Sequence, residues 1–297
     1  MTIRHDAPAD LPALIEAFIA VTTEHDPIRR LARIAAIRRF YDERAPKTLF
    51  KYFPDKTRRI ETLRNNELWL AAPETFNDVF DCLLSVDSEQ ILKDLRRQAD
   101  EKRLPGENSR VRVKAQELAA KGIGEMRSTF ENVRQTFGVA CFCERCDSSL
   151  MWAHYANFHR GFCAEYDLKS VTRQPLMLPV PVLYAEDRAL LTHLDIDRVR
   201  PEAIAYFIRS LVTKSAEWSY EREWRIVRDR RTCDKAWDDK KHVVSLDFPV
   251  PVSVTLGVSA DEDFSRQMRV YCEETGVALY RMTIDPLRYR LNRERAL

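Results

Sequence analysis

Hydrophobic residues near the start of the chain recur at helical spacing. They do so every three or four positions from Leu11 to Ile19 and again from Ile28 to Ile37, which predicts two amphipathic helices. Asp26-Pro27 separates them, because proline does not continue a helix. We therefore predict an N-terminal helical unit over residues 1–45, followed by a core domain over residues 46–297.

Beyond residue 46, short runs rich in aromatic and β-branched residues predict strands, and helical patterns lie between them. The predicted strands cover Leu49–Phe53, Leu68–Ala71, Gly138–Cys143, Phe162–Tyr166, Met177–Tyr184, Trp224–Arg228, His242–Leu246, Val252–Val258 and Val277–Ile284. The predicted helices cover Lys56–Asn65, Ser148–Asn157, Pro201–Ala216 and Asp261–Thr275, and the polar residues 88–136 predict a helical insertion. Because helices and strands do not strictly alternate, we predict an α+β fold whose core is a mixed, largely antiparallel sheet.

Composition narrows the class of protein. The 48 basic and 46 acidic residues give a net charge of +2, so no strong nucleic-acid or membrane signal is expected. The chain has no apolar run of membrane-spanning length, and Met1–Asp6 is charged where a signal peptide would begin. With seven cysteines, an odd number, we expect reduced thiols and a cytoplasmic location. Glycine occurs only 7 times and not as a phosphate-binding loop, so a bound nucleotide must be held by side chains.

Three polar, aromatic segments are candidates for chemistry, and we expect them to meet at one pocket. The first is Phe76–Asp78, where Asn77 and Asp78 indicate either a structural turn or a substrate contact. The second is Ser149–Arg160, in which helical spacing places Met151, His154 and Tyr155 on one face. An imidazole and a phenol near a capped helix start are suited to gripping an anion or an amide.

The third segment is Trp218–Arg225. If it is a strand from Glu221 onwards, then Glu221, Glu223 and Arg225 point to one side. Such a row is either a surface ion-pair ladder or a functional group of charges, and the neighbouring tryptophans indicate that it lies near the core.

Three cysteines, Cys141, Cys143 and Cys146, have a spacing that could begin a metal site. No second cysteine pair or histidine pair completes it, and free cysteine is a common core residue. No metal is therefore predicted.

Together these segments resemble, in order and spacing, the bacterial family described as domain of unknown function 2971. The resemblance spans roughly residues 46–285. It rests on Leu49–Tyr52 ("LYKY"), Leu68–Asp81 ("fNDPFE"), Cys141–Asp167 ("CFS…LMWaHY…GfC") and Lys214–Arg225 ("K…W.yE.EwR"). Val79, Asp81 and Cys143 stand where the family pattern has Pro, Glu and Ser.

More distantly, the layout is similar to the ADP-ribosyltransferase superfamily, since the Glu-x-Glu of Glu221 and Glu223 is reminiscent of its arginine-modifying branch. This resemblance implies an enzyme that consumes NAD, such as a bacterial toxin or defence effector acting on a macromolecular acceptor. Glu223 would stabilise the cationic sugar, Glu221 would orient the acceptor, and His154 would lie in the same pocket. The resemblance assigns the nicotinamide to Tyr52, Trp152 or Tyr155 and the pyrophosphate to Lys51, Arg160 or Lys214.

Two alternatives stay open. A metal-dependent, nuclease-like hydrolase would use Asp78, Asp81 and Glu223 clustered around a metal. A non-catalytic binding or sensor module would have all of these charged groups paired within the fold.

Overall fold

The chain folds into two compact units, each built from separate stretches of sequence. The structure, a computed structural model, describes residues 11–23, 26–83, 85–101, 136–174, 177–188, 190–191, 199–229, 233 and 243–296. Unit 1 comprises Met1–Ile37, Ala72–Phe137 and Leu183–Ala216, and unit 2 comprises Arg38–Ala71, Gly138–Val182 and Glu217–Leu297. These limits differ from the predicted boundary at residue 45, because the N-terminal residues group with two later stretches.

The predicted pattern of helices and strands recurs closely in the structure. The described helices are α1 (Leu11–Thr23), α2 (Pro27–Arg44), α3 (Thr57–Arg64), α4 (Ser88–Glu101), α5 (Ser149–Tyr155), α6 (Leu168–Arg173), α7 (Val199–Leu211) and α8 (Glu262–Thr275), with 3-10 turns at Pro73–Thr75 and Ala216–Glu221. The strands are β1 (Thr48–Phe53), β2 (Glu67–Ala71), β3 (Ser85–Val86), β4 (Phe137–Cys143), β5 (Phe162–Asp167), β6 (Val180–Pro181), β7 (Leu183–Ala185), β8 (Leu190–Leu191), β9 (Thr213–Ser215), β10 (Glu223–Asp229), β11 (Val243–Asp247), β12 (Ser253–Leu256), β13 (Ala278–Ile284) and β14 (Leu291–Arg295).

One sheet forms the centre of unit 2. Its strand order is β11-β2-β4-β1-β5-β12-β13-β14, and β10 pairs with both β4 and β6. Strand β12 runs parallel to β13. The antiparallel pairs are β1–β4, β1–β5, β2–β4, β2–β11, β5–β12, β6–β10 and β13–β14. The prediction of an α+β fold with a mixed, largely antiparallel sheet is therefore confirmed.

The side chains of β1 pack on both faces of this sheet. Phe50 and Tyr52 join a buried cluster with Met151 and Trp152 of α5, and the Tyr52 and Trp152 rings meet edge to face at 5.1 Å. Successive side chains of a strand point to opposite faces. Phe53 accordingly stacks on Phe162 at 4.9 Å on the other face.

The connection from α5 to β5 is tightly built. Asn157, Phe158 and His159 all have positive φ, at 46°, 54° and 67°, a conformation that costs non-glycine residues energy. Gly161 follows them, and a Cβ placed there would lie 2.0 Å from the carbonyl oxygen of Phe53. The close approach of two backbones therefore requires glycine at this position.

Unit 1 combines helices with two short strand pairs. Strands β3 and β8 pair in parallel, as do β7 and β9. Ile91 and Leu191 form a small buried cluster in this unit, and Arg209 of α7 forms a salt bridge with Glu16 of α1. Hydrophobic packing and an ion pair thus connect elements that are distant in sequence.

Some predicted bounds were wrong. The single strand predicted over Met177–Tyr184 is two strands, β6 and β7, which pair with β10 and β9 respectively. The helix predicted over Pro201–Ala216 ends at Leu211, because Thr213–Ser215 forms β9. Of the helical insertion predicted over residues 88–136, α4 is described, and residues 102–135 lie outside the described part of the chain.

Within the described residues, no helix has the length and apolar character needed to cross a bilayer.

The close approach at Gly161 generates a stability prediction. We expect Gly161→Ala to lower the free energy of unfolding by about 3 kcal/mol, because the added methyl group meets backbone that has to shift. Urea denaturation measures the change.

Gly276 offers a matched control. It ends α8 in the left-handed region, at φ 72°, but a Cβ there meets nothing within 4 Å. Gly276→Ala should cost only about 1 kcal/mol, from conformation alone. Equal losses for the two variants would show that the contact with Phe53 does not constrain the fold.

Candidate active site

Helix α5 is anchored by its cap and by its buried side. The Ser148 hydroxyl accepts a hydrogen bond from the Met151 amide at 3.4 Å, so this serine caps the start of the helix. Met151 and Trp152 are buried, and the Trp152 indole donates to the carbonyl of Cys146 at 2.7 Å. With this side of the helix fixed, His154 is left exposed.

His154 lies among three aromatic rings. Its ring centroid is 6.2 Å from that of Tyr155, 6.1 Å from that of Trp218 and 6.5 Å from that of Tyr220. Trp218 and Tyr220 lie 6.0 Å from each other, and all three aromatic residues are partly exposed. We call these four residues the ring cluster.

A buried carboxylate contacts the ring cluster. The Tyr155 hydroxyl donates a 2.5 Å hydrogen bond to Oε1 of Glu221, whose residue is only 3% exposed. The 3-10 turn Ala216–Glu221 supplies both this acid and two of the rings. This hydrogen bond connects α5 to the segment that enters β10.

The predicted row of Glu221, Glu223 and Arg225 was wrong in its first member. Strand β10 begins at Glu223, and Arg222 before it has φ 46°. This left-handed residue redirects the chain, so that Glu221 belongs to the 3-10 turn instead of the strand. Its carboxylate still reaches the site, through Tyr155.

Glu223 and Arg225 form a buried, two-point ion pair. Nε of Arg225 donates to Oε1 of Glu223 at 2.7 Å, and Nη2 donates to Oε2 at 3.0 Å. Arg225 is 0% exposed and Glu223 is 4% exposed. The surface-ladder interpretation is therefore wrong, and the bidentate geometry fixes the orientation of the carboxylate.

The thiol of Cys141 on β4 forms a hydrogen bond with Glu223. Burial raises the pKa of Cys141 well above its usual value, and the charge of Glu223 and a hydrogen bond with it act in the same direction. The thiol therefore stays protonated at neutral pH and is suited to donating to the carboxylate.

Tyr52 and Trp152, predicted as walls for nicotinamide, are core residues instead. Tyr52 is 8% exposed and Trp152 is 0% exposed. The hydroxyl of Tyr52 donates to the carbonyl of Arg145 at 3.1 Å. Both polar tips thus bond to backbone, which allows the rings to be buried.

The three predicted pyrophosphate ligands occupy different surroundings. Arg160 is exposed in the connection after α5. Lys51 places its ammonium 5.6 Å from the Phe53 ring and 5.2 Å from the Phe142 ring, on the face of β1 opposite Tyr52. Lys214 belongs to unit 1, where it lies 3.6 Å from the carboxylate of Asp81 in a buried pair.

The segment Phe76–Asp78 also belongs to unit 1, whereas the ring cluster belongs to unit 2. Oδ1 of Asp78 accepts a hydrogen bond from the Phe80 amide at 2.9 Å, which is the structural turn that the sequence indicated. No group of three or more potential metal ligands occurs in the described residues.

Sequence reasoning missed the pairing of Trp218 and Tyr220 with His154. The two residues are separated by one position, as on a strand, but they occupy a 3-10 turn. Because both residues are distant from His154 in the sequence, no local pattern indicates the contact. The partnership of Cys141 with Glu223 was missed for the same reason, since it depends on β4 pairing with β10.

Comparison with curated proteins found no match, and comparison with solved structures found none either. Comparison with family models found one, described as protein of unknown function DUF2971, over residues 151–226. The matched residues include His154, Tyr155, Glu221, Glu223 and Arg225. The predicted resemblance to this family is thus confirmed over residues 151–226, the segment that holds the candidate site.

Proposed function

We propose that the chain is an enzyme that consumes NAD by breaking the bond between nicotinamide and ribose, in the manner of an ADP-ribosyltransferase. One observation carries the proposal. The partly exposed ring cluster is joined by the Tyr155–Glu221 hydrogen bond to a carboxylate that lies two residues before the buried pair on β10.

The ring cluster suits the nicotinamide group of NAD. This group is a flat ring that carries positive charge, and aromatic faces attract both flat rings and cations. Trp218 and Tyr220 are partly exposed beside the exposed His154, so a planar ligand has faces to stack on. Arg160, an exposed cation in the connection after α5, is the candidate contact for the pyrophosphate.

The acids suit the chemistry of bond cleavage. When the bond between the nicotinamide nitrogen and C1′ of ribose breaks, its electron pair leaves with neutral nicotinamide and positive charge develops on the sugar. A carboxylate held in a buried setting stabilises that charge more than one in water does. Glu223 takes this role, with Arg225 fixing its orientation.

Glu221 completes the reaction by accepting a proton. The acceptor, a water molecule or a nucleophilic side chain of a macromolecule, forms the new bond to C1′ and loses a proton as it does so. Tyr155 holds Oε1 of Glu221 at 2.5 Å. This bond sets the direction in which the acid faces the acceptor.

A second candidate function is a binding or sensor module without catalysis. It is favoured by the pairing of both acids, Glu223 with Arg225 and Glu221 with Tyr155. Paired charges stabilise a fold without any reaction. The same ring cluster would then bind a nucleotide and leave it intact.

The primary proposal predicts nicotinamide release. Purified protein incubated with NAD should release nicotinamide, as measured by chromatography, and Glu223→Gln should lower the rate at least about 100-fold, the usual effect of removing one charge-stabilising group. Glu217→Gln is the matched control, because Glu217 lies in the same turn but is exposed; its rate should equal that of the wild type. Thermal unfolding verifies that both variants are folded.

Calorimetry with NAD separates the two candidates. Binding that is weakened by His154→Ala, without nicotinamide release by the wild type, establishes the binding module in place of the enzyme. Absence of both binding and release rejects both functions at this site.

The Tyr155–Glu221 bond yields a prediction about stability. Tyr155→Phe removes the donor to a buried acid, so the free energy of unfolding should fall by about 2 kcal/mol, as for other hydrogen bonds to charged groups. Tyr289→Phe is the control, since Tyr289 is fully exposed, and it should cost nothing measurable in urea denaturation. If the two variants are equally stable, the bond does not tie α5 to the 3-10 turn.

A further inference from the structure

Three cations gather on the face of β1 that points away from α5. The guanidinium carbons of Arg58 and Arg59 lie 4.8 Å and 4.6 Å from the Trp69 ring centroid. Arg59 also lies 6.0 Å from the Phe53 ring, over which Lys51 places its ammonium at 5.6 Å. We call Lys51, Arg58 and Arg59 the cationic cluster.

The cationic cluster has no acidic partner in the part of the chain that the structure describes. Lys51 donates to the carbonyl of Cys141 at 3.0 Å, and Nε of Arg59 is buried without a hydrogen-bond partner. Glu67, next to Trp69 on β2, accepts a long bond of 3.4 Å from the Trp69 indole instead of pairing with a member of the cluster. A buried guanidinium nitrogen without an acceptor is costly, and a ligand that supplies one removes the cost.

Burial and the neighbouring arginine charges both lower the pKa values of Arg59 and Lys51. Burial lowers the pKa of Arg59, and the charge of Arg58 lowers it further. Burial lowers the pKa of Lys51 as well; the charge of Arg59 adds to this effect, while Cys141 and Glu223 oppose it. A bound anion would reverse these shifts, because opposite charge favours the protonated forms.

Both arginines occupy the first turn of α3, where cations are unfavourable. The N-terminus of a helix carries partial positive charge and favours acids, yet the first turn of α3 has none, and its cap residue Lys56 makes no side-chain capping bond. Arg64 at the other end of the helix has the ordinary arrangement, since it pairs with Glu274. Cations stacked on a ring at a helix N-terminus suit an anion bound between them.

The geometry points to a binding site for a phosphate oxyanion at the cationic cluster, separate from the proposed NAD site. The guanidinium groups of Arg58 and Arg59 lie over the Trp69 ring, and the N–H edge of a guanidinium matches two phosphate oxygens. Lys51 adds a single compact charge. Both inorganic phosphates and the backbone of nucleic acids present this chemistry.

Binding to the full chain tests the site with two probes. Pyrophosphate is titrated by calorimetry, and a short fluorescent single-stranded oligonucleotide is titrated by anisotropy. We expect at least one probe to bind, with affinity that falls as salt rises. Arg58→Gln with Arg59→Gln should weaken binding at least about tenfold, since two charge-assisted bonds are lost.

Arg64→Gln is the matched control, because it removes the same charge from the same helix but from an arginine that already has a carboxylate partner. It should bind as the wild type does. Arg58→Gln alone, at an exposed position, provides a variant that keeps the buried part of the cluster, and a smaller loss of affinity is expected. Thermal unfolding verifies the fold of each variant.

The two probes identify the source of the phosphate. Pyrophosphate binding without oligonucleotide binding assigns the site to small phosphates, and oligonucleotide binding assigns it to a nucleic-acid backbone; both outcomes support an oxyanion site. If neither probe binds, or if the double variant binds as tightly as the wild type, the inference is overturned. The result is independent of nicotinamide release, which the double variant should retain if the wild type shows it.

Discussion

The buried ion pair of Glu223 and Arg225 is the interaction on which the candidate site depends. An arginine that is 0% exposed keeps its charge in every accessible state of the protein, and burying that charge alone would cost several kcal/mol. Glu223 offsets this cost from the same face of the same strand, two residues earlier. Because both residues lie on β10, the extended strand itself places them side by side.

The other residues of the candidate site lie around Glu223 and the turn that precedes it. Cys141 of β4 contacts Glu223, so the pairing of β4 with β10 brings thiol and acid together. The positive φ of Arg222 changes the direction of the chain, so that Glu221 lies outside the strand. There the Tyr155 hydroxyl of α5 donates a hydrogen bond to the Glu221 carboxylate. The partly exposed rings of Trp218 and Tyr220 lie on the 3-10 turn that ends at the buried Glu221.

Local patterns predicted most elements of the fold because the periodicity of each element is a local property. The aromatic-rich run Leu49–Phe53 and the helix predicted over Ser148–Asn157 are examples. What local patterns do not contain is the partner of each strand. Met177–Tyr184 divides because Val180–Pro181 pairs with β10 while Leu183–Ala185 pairs with β9, and the helix before β9 is shortened by that same pairing.

The candidate site residues were chosen by residue type and local pattern, and these do not contain the partner of each side chain. Glu221 and Glu223 carry charges that are costly to bury without a partner, so the tryptophans beside them were enough to select them as candidates. Tyr52 and Trp152 failed as ligand walls because an aromatic residue with a polar tip looks alike in a core and in a pocket. Only their bonds to the backbone, from Tyr52 to Arg145 and from Trp152 to Cys146, distinguish the two environments.

Lys51 shows how the two faces of one strand are connected electrostatically. Its side chain lies with the cationic cluster, but the charge of Glu223 on the opposite face raises its pKa while burial and Arg59 lower it. A change in the charge near Glu223 therefore shifts the pKa of Lys51, and an anion bound at the cluster would raise that pKa. Because such linkage is reciprocal, an oxyanion bound beside Lys51 changes the electrostatic environment of the acid at Glu223 without any movement of the sheet.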